Sequence, residues 1–193
     1  MKRDIQKIDD DIIRKKRLIE QILYSDEDII EILDNPDLSP DSPEDYIGEN
    51  IFSFLRVPGV QDVSKNFITF TIDDMGRTTN NQVMKSQYVQ FVVFVHKDLV
   101  KTKYGIDRHD LLGCLIRDIF NLSNKLGLQM EIINNREGVT DTDYYTRTLK
   151  FEIITDNSTK PFRTNPYEVK SIVGRQDRVL HCDTLSEVSN GKR

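Results

Sequence analysis

The chain has 193 residues, of which 37% are hydrophobic and 31% charged, with a formal net charge of −5. This length suits one globular domain with extra arms, and we expect no transmembrane helix because no run of about 18 apolar residues occurs. The N-terminus lacks the apolar segment of a secretory signal. Two cysteines, Cys114 and Cys182, form no disulfide framework, which predicts a reducing compartment.

The charge is unevenly distributed along the chain. Residues 26–49 contain ten acidic residues and no lysine or arginine. The first fifty residues hold 15 acidic and 7 basic residues, a net −8, whereas residues 51–193 hold 17 acidic and 20 basic residues, a net +3. This pattern argues against nucleic-acid binding by the N-terminal third. It indicates either a solvated, partly disordered stretch or an acidic module that binds a protein.

The first predicted element is a helix over residues 3–24. Its isoleucines recur at the a and d positions of a heptad, with Lys15 interrupting the row. An apolar row of this period requires a partner surface, which is either the chain's own domain or another subunit. The candidate subunit-interface residues in this helix are Ile5, Ile8, Ile12, Ile19 and Ile22.

A short second helix is predicted at about Glu27–Leu33, ending before Pro36. Residues 35–46 then place three prolines among aspartates and serines, which predicts a linker or surface loop. We therefore delimit an N-terminal helical, acidic segment and linker at residues 1–45. The irregular apolar residues 46–60 predict a short helix or turn that holds the linker on the core.

Period-two alternation then indicates strands at residues 66–73 and 87–96, the second apolar enough for a central strand. The polar stretch between them, residues 74–86, predicts a long flexible hairpin loop, and long loops in compact domains often carry function. The candidate contact residues in this loop are Asp74, Arg77 and Lys85.

The clearest helix is predicted over residues 108–126, capped by Asp107 and ended by Gly127. Two alternating runs, residues 128–132 and 145–153, predict two more strands. Together these elements predict an α+β core over residues 46–155, a mainly antiparallel four-stranded sheet with one helix layer.

Beyond residue 155 the pattern fades, and residues 156–193 are predicted to form an extended C-terminal arm. Its isolated apolar residues, with Phe162 and Tyr167 as interface candidates, suit a segment that becomes ordered on a neighbouring subunit.

The sequence predicts no catalytic or cofactor-binding motif. The acidic run DNPDLSPDSPED superficially resembles a calcium loop but lacks the glycine that the sharp turn needs. The histidines form no i, i+4 pair. His96 and His109 would meet Asp98, Asp107 and Asp110 if all lay at one end of the sheet, which would allow a metal site or a general base.

The simpler interpretation of these histidines is that they are polar groups at strand and helix ends. His181 lies in the arm beside Cys182, where no third group is present to orient a nucleophile. Cys114 is predicted to be a small, half-buried filler on its helix. An enzyme with His96 or His109 as base is accordingly the least favoured hypothesis.

A family resemblance rests on four segments in order: FITFTIDD, QYVQFVVFVHKDLVKTKYGIDRHDLLGCLIRDIFN, LGLQMEI and DTDYYTRTLKFEIIT. Across about residues 46–155 this order of strand, hairpin, strand, helix, strand and strand resembles the tail-terminator and tail-to-head joining proteins of long-tailed phages. The acidic N-terminal third and the C-terminal arm extend beyond the compact core of that family.

The resemblance implies a structural virion protein that forms a ring, usually of six copies, at the phage neck or the head-proximal end of the tail. Its partners would be copies of itself and neighbouring connector or tail-tube proteins. Genome DNA would pass nearby without sequence-specific binding, no cofactor or membrane would be involved, and assembly would occur in the host cytoplasm. The alternative hypothesis is an acidic binding module that acts on a host protein.

Overall fold

The structure is a computed structural model that describes residues 10–59, 64–78, 81–127 and 129–156. It contains the helices α1 (Asp11–Tyr24), α2 (Glu27–Leu33) and α3 (Arg108–Phe120). Its strands are β1 (Ile51–Phe52), β2 (Phe67–Thr78), β3 (Asn81–His96), β4 (Met130–Val139) and β5 (Tyr144–Asp156). Short 3₁₀ turns occupy Pro43–Tyr46 and Lys97–Leu99.

The five strands form one sheet in the order β1-β2-β3-β5-β4. β1 runs parallel to β2, and the other neighbours are antiparallel. The predicted α+β class with a mainly antiparallel sheet is confirmed. The sheet has one strand more than the predicted four because β1, two residues long, is too short to produce an alternating pattern.

All three helices belong to one core on one face of the sheet. α3 packs on β3 and β5, α2 packs on α3, and α1 packs on α2 and β1. The ring of Phe120 on α3 stacks on Phe91 of β3 at 4.9 Å between centroids. Each fully buried aliphatic or aromatic side chain here contributes about 1.5–3 kcal/mol, so this layer holds the helices on the sheet.

The N-terminal isoleucines pack differently from the predicted seam. In α1 the buried row is Lys15, Ile19 and Leu23, at i, i+4 spacing, so Ile19 lies in the chain's own core. Ile12 and Ile22 are partly buried against the same core. These three isoleucines therefore have partners within the chain, while Ile5 and Ile8 lie outside the described residues.

Residues 35–46 form a surface loop that is tied to the sheet, rather than a linker. Asn35 donates its side-chain amide to Asn50 Oδ1 at 2.6 Å, and Asn50 donates to the Asn66 carbonyl at 2.7 Å. Asn66 in turn donates to the Leu33 carbonyl at 3.2 Å. All three asparagines are buried, so this Asn35–Asn50–Asn66 chain joins the end of α2 to the start of β2.

The predicted loop over residues 74–86 is wrong for the described residues, because β2 and β3 continue their pairing to Thr78 and Asn81. Polar side chains do not prevent backbone pairing between strands. Residues 74–78 and 81–86, called the hairpin ribbon below, also have a side-chain contact that supports the pairing. Lys85 Nζ lies 2.8 Å from Asp74 Oδ2, and Lys85 also pairs with Thr155 on β5. The ribbon is therefore part of the sheet.

The third helix ends at Phe120, seven residues before the predicted stop at Gly127. Asn121 leaves the helix and its Oδ1 accepts the Ile132 N–H at 3.0 Å, while Leu122 takes a positive φ of 57°. The chain then runs back along β4, with Met130 N donating to the Ser123 carbonyl at 2.8 Å. These bonds form in place of the helix that the apolar spacing predicted over residues 121–126.

A second, smaller apolar cluster occupies the other face of the sheet, and it contains no residue from the described helices. It consists of Phe52, Phe67, Val92, Phe94 and Tyr144. Phe67 and Phe94 stack at 4.9 Å, and Tyr144 meets Phe67 edge-on at 5.9 Å. These rings mark one end of the sheet, across β1, β2, β3 and β5.

No helix in the described ranges is long and apolar enough to cross a membrane. The predicted arm over residues 156–193, with Phe162, Tyr167, His181 and Cys182, lies outside the described residues apart from Asp156, which ends β5.

Candidate functional site

The outer edge of β4 is the first feature that suggests a contact surface. Thr140 N–H donates to the Tyr144 carbonyl at 2.8 Å, which sets the direction in which backbone groups point near this turn. Backbone N–H and C=O groups alternate in direction along a strand. Those of Gly138 and Arg136 therefore point towards β5, whereas those of Asn135, Glu137 and Val139 point outward from the edge of the sheet. No strand within the described part of the chain pairs with this side of β4.

Only the first part of this edge is covered. The backbone groups of Met130 and Ile132 bond to the turn at Asn121–Ser123. A bulge between Ile132 and Asn134 then shifts the register, and residues 135–139 are left on the rim. Residues 135–139 are called the β4 rim below.

The β4 rim is held rigidly by Arg147 on the neighbouring strand. Its Nη1 lies 2.8 Å from Asp110 Oδ1 on α3 and 2.6 Å from Glu137 Oε1 on β4, and its Nε donates to Asn135 Oδ1 at 2.6 Å. A Cβ on Gly113 would lie 2.7 Å from Arg147 Cγ, so the helix approaches closely because this residue is glycine. One guanidinium thus connects α3, β5 and β4.

His109, Asp110 and Glu137 bring three potential metal ligands within 4.8 Å of one another. This donor set suits a divalent cation. The Arg147 guanidinium, however, already lies between the two carboxylates, and its positive charge would repel the cation. His109 is buried and stacks on Tyr145 at 5.8 Å. The cluster is best described as an arginine-centred structural link.

His96 and His109 do not meet, as a metal site or general base built from both would require. His96 contacts Tyr144 edge-on at 5.1 Å, whereas His109 stacks on Tyr145. Adjacent residues of a strand point to opposite faces, so the sheet separates the two histidines. His96 lies 3.3 Å from Asp98, and Asp107 pairs instead with Lys101 at 2.6 Å.

A cleft of about 300 Å³ lies between α2 and the segment that precedes α3. It is lined by Glu31, Ile32, Asp34, Lys101, Thr102, Lys103, Tyr104 and Arg108. Each charged side chain of the lining already has an ionic partner. Glu31 accepts from Lys103 at 2.5 Å and from the Tyr104 hydroxyl at 2.6 Å, and these two hydrogen bonds lower the pKa of Glu31. Arg108 pairs with Asp34 at 3.0 Å, and Lys101 pairs at 2.6 Å with Asp107, which does not line the cleft.

A buried polar network connects α1 to the base of the hairpin. Lys15 Nζ lies 2.8 Å from Asp11 Oδ2 and 2.5 Å from Gln87 Oε1. Burial lowers the pKa of Lys15, although its hydrogen bond to Asp11 opposes that change. Burial would raise the pKa of Asp11, but the bonds and charge of Lys15, with bonds from Arg14 and Gln87, lower it overall.

The predicted hairpin contacts lie close to this network. Lys85 lies 2.8 Å from Asp74 and 3.8 Å from Asp11, and Arg77 pairs with Lys85 in the strand ladder. Asp74 and Lys85 therefore hold the ribbon to α1 in the isolated chain. A further contact of these residues with another subunit stays a prediction.

Sequence reasoning missed the most exposed apolar groups beside the sheet edges. Phe54, Leu55 and Val57 follow β1, and Val139 ends β4. The first three are visible as the run SFLRV, but the sequence predicts for them a short helix or turn that holds the linker on the core. Val139 lies in the polar stretch NNREGVTDTD, between the strands predicted at residues 128–132 and 145–153. Only the strand register shows that it belongs to β4 and lies on the rim.

The fold and the site define a class of protein: a helix-backed, mainly antiparallel α+β domain with an unpaired rim beside exposed apolar residues. A family model described as YomW matches residues 15–153. The chain belongs to the YomW family, which is of the Bacillus prophage type, so the protein is phage-related. No curated protein matches the chain.

Proposed function

We propose that this chain is a structural virion protein that forms a homo-oligomeric ring at the phage neck or the head-proximal end of the tail, joining the tail tube to the head connector. The observation that carries the proposal is the β4 rim, which leaves strand backbone groups unpaired within the described part of the chain. Soluble proteins normally protect such edges, because an open edge pairs with other chains.

Membership of a phage-related family supports the same proposal. So do two separate groups of exposed apolar residues, one near the rim and one after β1, since exposed apolar surface commonly marks a protein contact. Each copy carries a net charge of −5. A ring of such copies would be strongly acidic, so DNA would pass through it without adhering.

Two measurements test the proposal. Purified chain should give one discrete multimer by light scattering and a ring by negative-stain electron microscopy. Mass spectrometry of purified phage particles should detect the chain at a constant ratio to the tail-tube protein. A chain that stays monomeric at its highest soluble concentration and is absent from particles would refute the ring function.

A second candidate function is an acidic module that binds a host protein. Nine of the ten acidic residues in segment 26–49 are exposed, and the segment is folded, so their charges are presented in a fixed arrangement. Such an array would attract a basic protein surface.

This alternative is tested by neutralising charge without altering shape. A variant that combines Glu27→Gln, Asp37→Asn, Asp41→Asn and Glu44→Gln should lose capture of a host protein from lysate. The matched control also neutralises four exposed acids, all outside this segment, with Asp73→Asn, Asp118→Asn, Glu131→Gln and Asp141→Asn. Equal capture by both variants and by the native chain would exclude the acidic module.

A further inference from the structure

We infer that copies of this chain join head to tail, with the apolar segment at residues 53–57 of one copy lying along the β4 rim of the next copy. This inference rests on the proposed ring function. It identifies the two complementary surfaces of the ring contact, and both consist of described residues.

The first surface is segment 53–57, which is unusually apolar for exposed chain. Phe54, Leu55 and Val57 are 56%, 55% and 65% exposed. Arg56, between two of them, turns inward, and its guanidinium lies 4.6 Å from the centre of the Phe52 ring. Leu55 and Val57 therefore point away from the chain, with the alternation of extended backbone over residues 55–57, which follow a bend at residues 53 and 54.

The second surface is the β4 rim, which offers both backbone and apolar groups. Val139 is 69% exposed, and its partner across the ladder, Tyr145, is 40% exposed. The outward backbone groups of Asn135, Glu137 and Val139 give an extended partner strand its hydrogen bonds. Val139 and Tyr145 give its side chains an apolar contact.

The two surfaces lie at opposite edges of the sheet. Phe67 pairs with Phe94 across β2 and β3, and His96 pairs with Tyr144 across β3 and β5, which aligns these strand ends. Segment 53–57 follows β1 at one edge, and Val139 is on the opposite edge.

Four strand spacings separate these edges, or about 19 Å at the usual spacing of about 4.8 Å. A chain cannot bring its own rim to its own segment across that distance, because the sheet lies between them. A second copy placed head to tail makes this contact without any change of fold. Such a contact uses two different patches, so successive copies close into a ring when the rotation between them closes.

The chemistry of both surfaces favours a copy of this chain over nucleic acid as the occupant. Segment 53–57 has one basic residue, Arg56, and that side chain is turned inward. On the rim, Arg136 is next to Glu137, so no basic stripe is present. An extended apolar peptide can bind through the backbone groups and apolar side chains that these surfaces offer. Phosphate groups require a stripe of basic side chains, which neither surface presents.

The principal experiment uses one variant for each surface and a matched control. Leu55→Asp with Val57→Asp alters the segment, and Val139→Asp alters the rim. Met75→Asp changes an equally exposed residue (61%) that lies on the hairpin ribbon. Circular dichroism and the thermal midpoint first establish that each variant is folded.

We expect the control to form wild-type rings and each surface variant alone to remain monomeric. An equal mixture of the segment variant and the rim variant should form a dimer and nothing larger, since each copy retains one intact surface. If the surface variants form wild-type rings, the inference is overturned while the ring function stands. A monomeric wild-type chain that is absent from particles overturns both.

Cross-linking identifies the occupant directly. In a Cys114→Ser, Cys182→Ser background, Leu55→Cys combined with Val139→Cys should give a ladder of disulfide-linked copies on oxidation. Met75→Cys combined with Val139→Cys should give none. Failure of the first pair to cross-link within intact rings, together with loss of rings on deleting residues 157–193, would assign the rim to the C-terminal segment and refute the inference.

Discussion

Single buried polar residues hold the N-terminal third of this chain to the sheet. Asn35, Asn50 and Asn66 link the end of α2, the turn before β1 and the start of β2. A buried polar group without a partner costs about 1–3 kcal/mol. The three hydrogen bonds avoid that cost for all the linked groups, whereas Asn66 Oδ1 is buried without a partner in the described part of the chain. The acidic segment therefore keeps a fixed position although its sequence is rich in proline and aspartate.

Asn50→Ala should lower the free energy of unfolding by about 1–3 kcal/mol, because it leaves the Asn35 amide and the Asn66 carbonyl without their partner. Urea denaturation followed by circular dichroism measures this change. Asn134→Ala, at an exposed position on β4, is the control and should lie close to the wild type. Equal stability of Asn50→Ala and the control would show that the asparagine link contributes little.

Asp11 is predicted to give the stability a dependence on acid. Its pKa in the folded chain is below its ordinary value of 3.8, so the unfolded chain binds a proton more readily. The stabilisation is complete above that ordinary value and is lost as the pH falls through the folded pKa.

We therefore expect Asp11→Asn to be less stable than the wild type at neutral pH, and the difference to shrink in strong acid. Urea denaturation at a series of pH values measures both. A difference that stays constant from neutral to strongly acidic pH would contradict the lowered pKa of Asp11.

At the scale of elements, α2 depends on contacts with α3. A seven-residue helix is too short to be stable alone in water. Arg108 at the start of α3 is buried and donates to the Ile32 carbonyl, to the Leu99 carbonyl at 2.7 Å and to the Asp34 carboxylate at 3.0 Å. The positive charge of Arg108 at the C-terminus of α2 also interacts favourably with the partial negative charge at that end of the helix dipole.

Arg108→Met should destabilise the fold by about 2–3 kcal/mol, since two acceptors at the end of α2 and the Leu99 carbonyl lose a charged donor. Arg108→Lys should restore only part of this loss, because one ammonium cannot span three acceptors. Hydrogen exchange of the amides in α2 should accelerate in both variants. Arg117→Met is the control, since Arg117 is exposed and its ion pair is with the adjacent Asp118.

The edge strands show how one sheet has both protected and open borders. β1 covers β2 at Ile68 and Thr69, and the turn at Asn121–Ser123 covers the beginning of β4. The bulge after Ile132 ends that cover. An open rim next to exposed apolar residues is unfavourable for an isolated chain, which is the physical basis for proposing assembly.

At the scale of the whole molecule, the proposed contact is apolar, whereas the copies carry like charge. The net charge of −5 per copy opposes association, and salt screens that repulsion without weakening apolar burial. We therefore expect the ring to become more stable as sodium chloride is raised. Sedimentation velocity at low and high salt measures the multimer fraction, and a ring that dissociates at high salt would indicate contacts made by ion pairs.

The sequence by itself determined the fold class, the bounds of α2 and the presence of the central strands, because strong apolar periodicity directly reports which face of an element is buried. It also located the acidic segment. Tertiary structure decided the rest: the end of α3 at Asn121, the pairing of the hairpin ribbon and the burial of Lys15. Each of these depends on a hydrogen-bond partner distant in sequence. The β4 rim depends on a bulge and on which strand has no neighbour, and strand order is a property of the assembled sheet that no local pattern of residues contains.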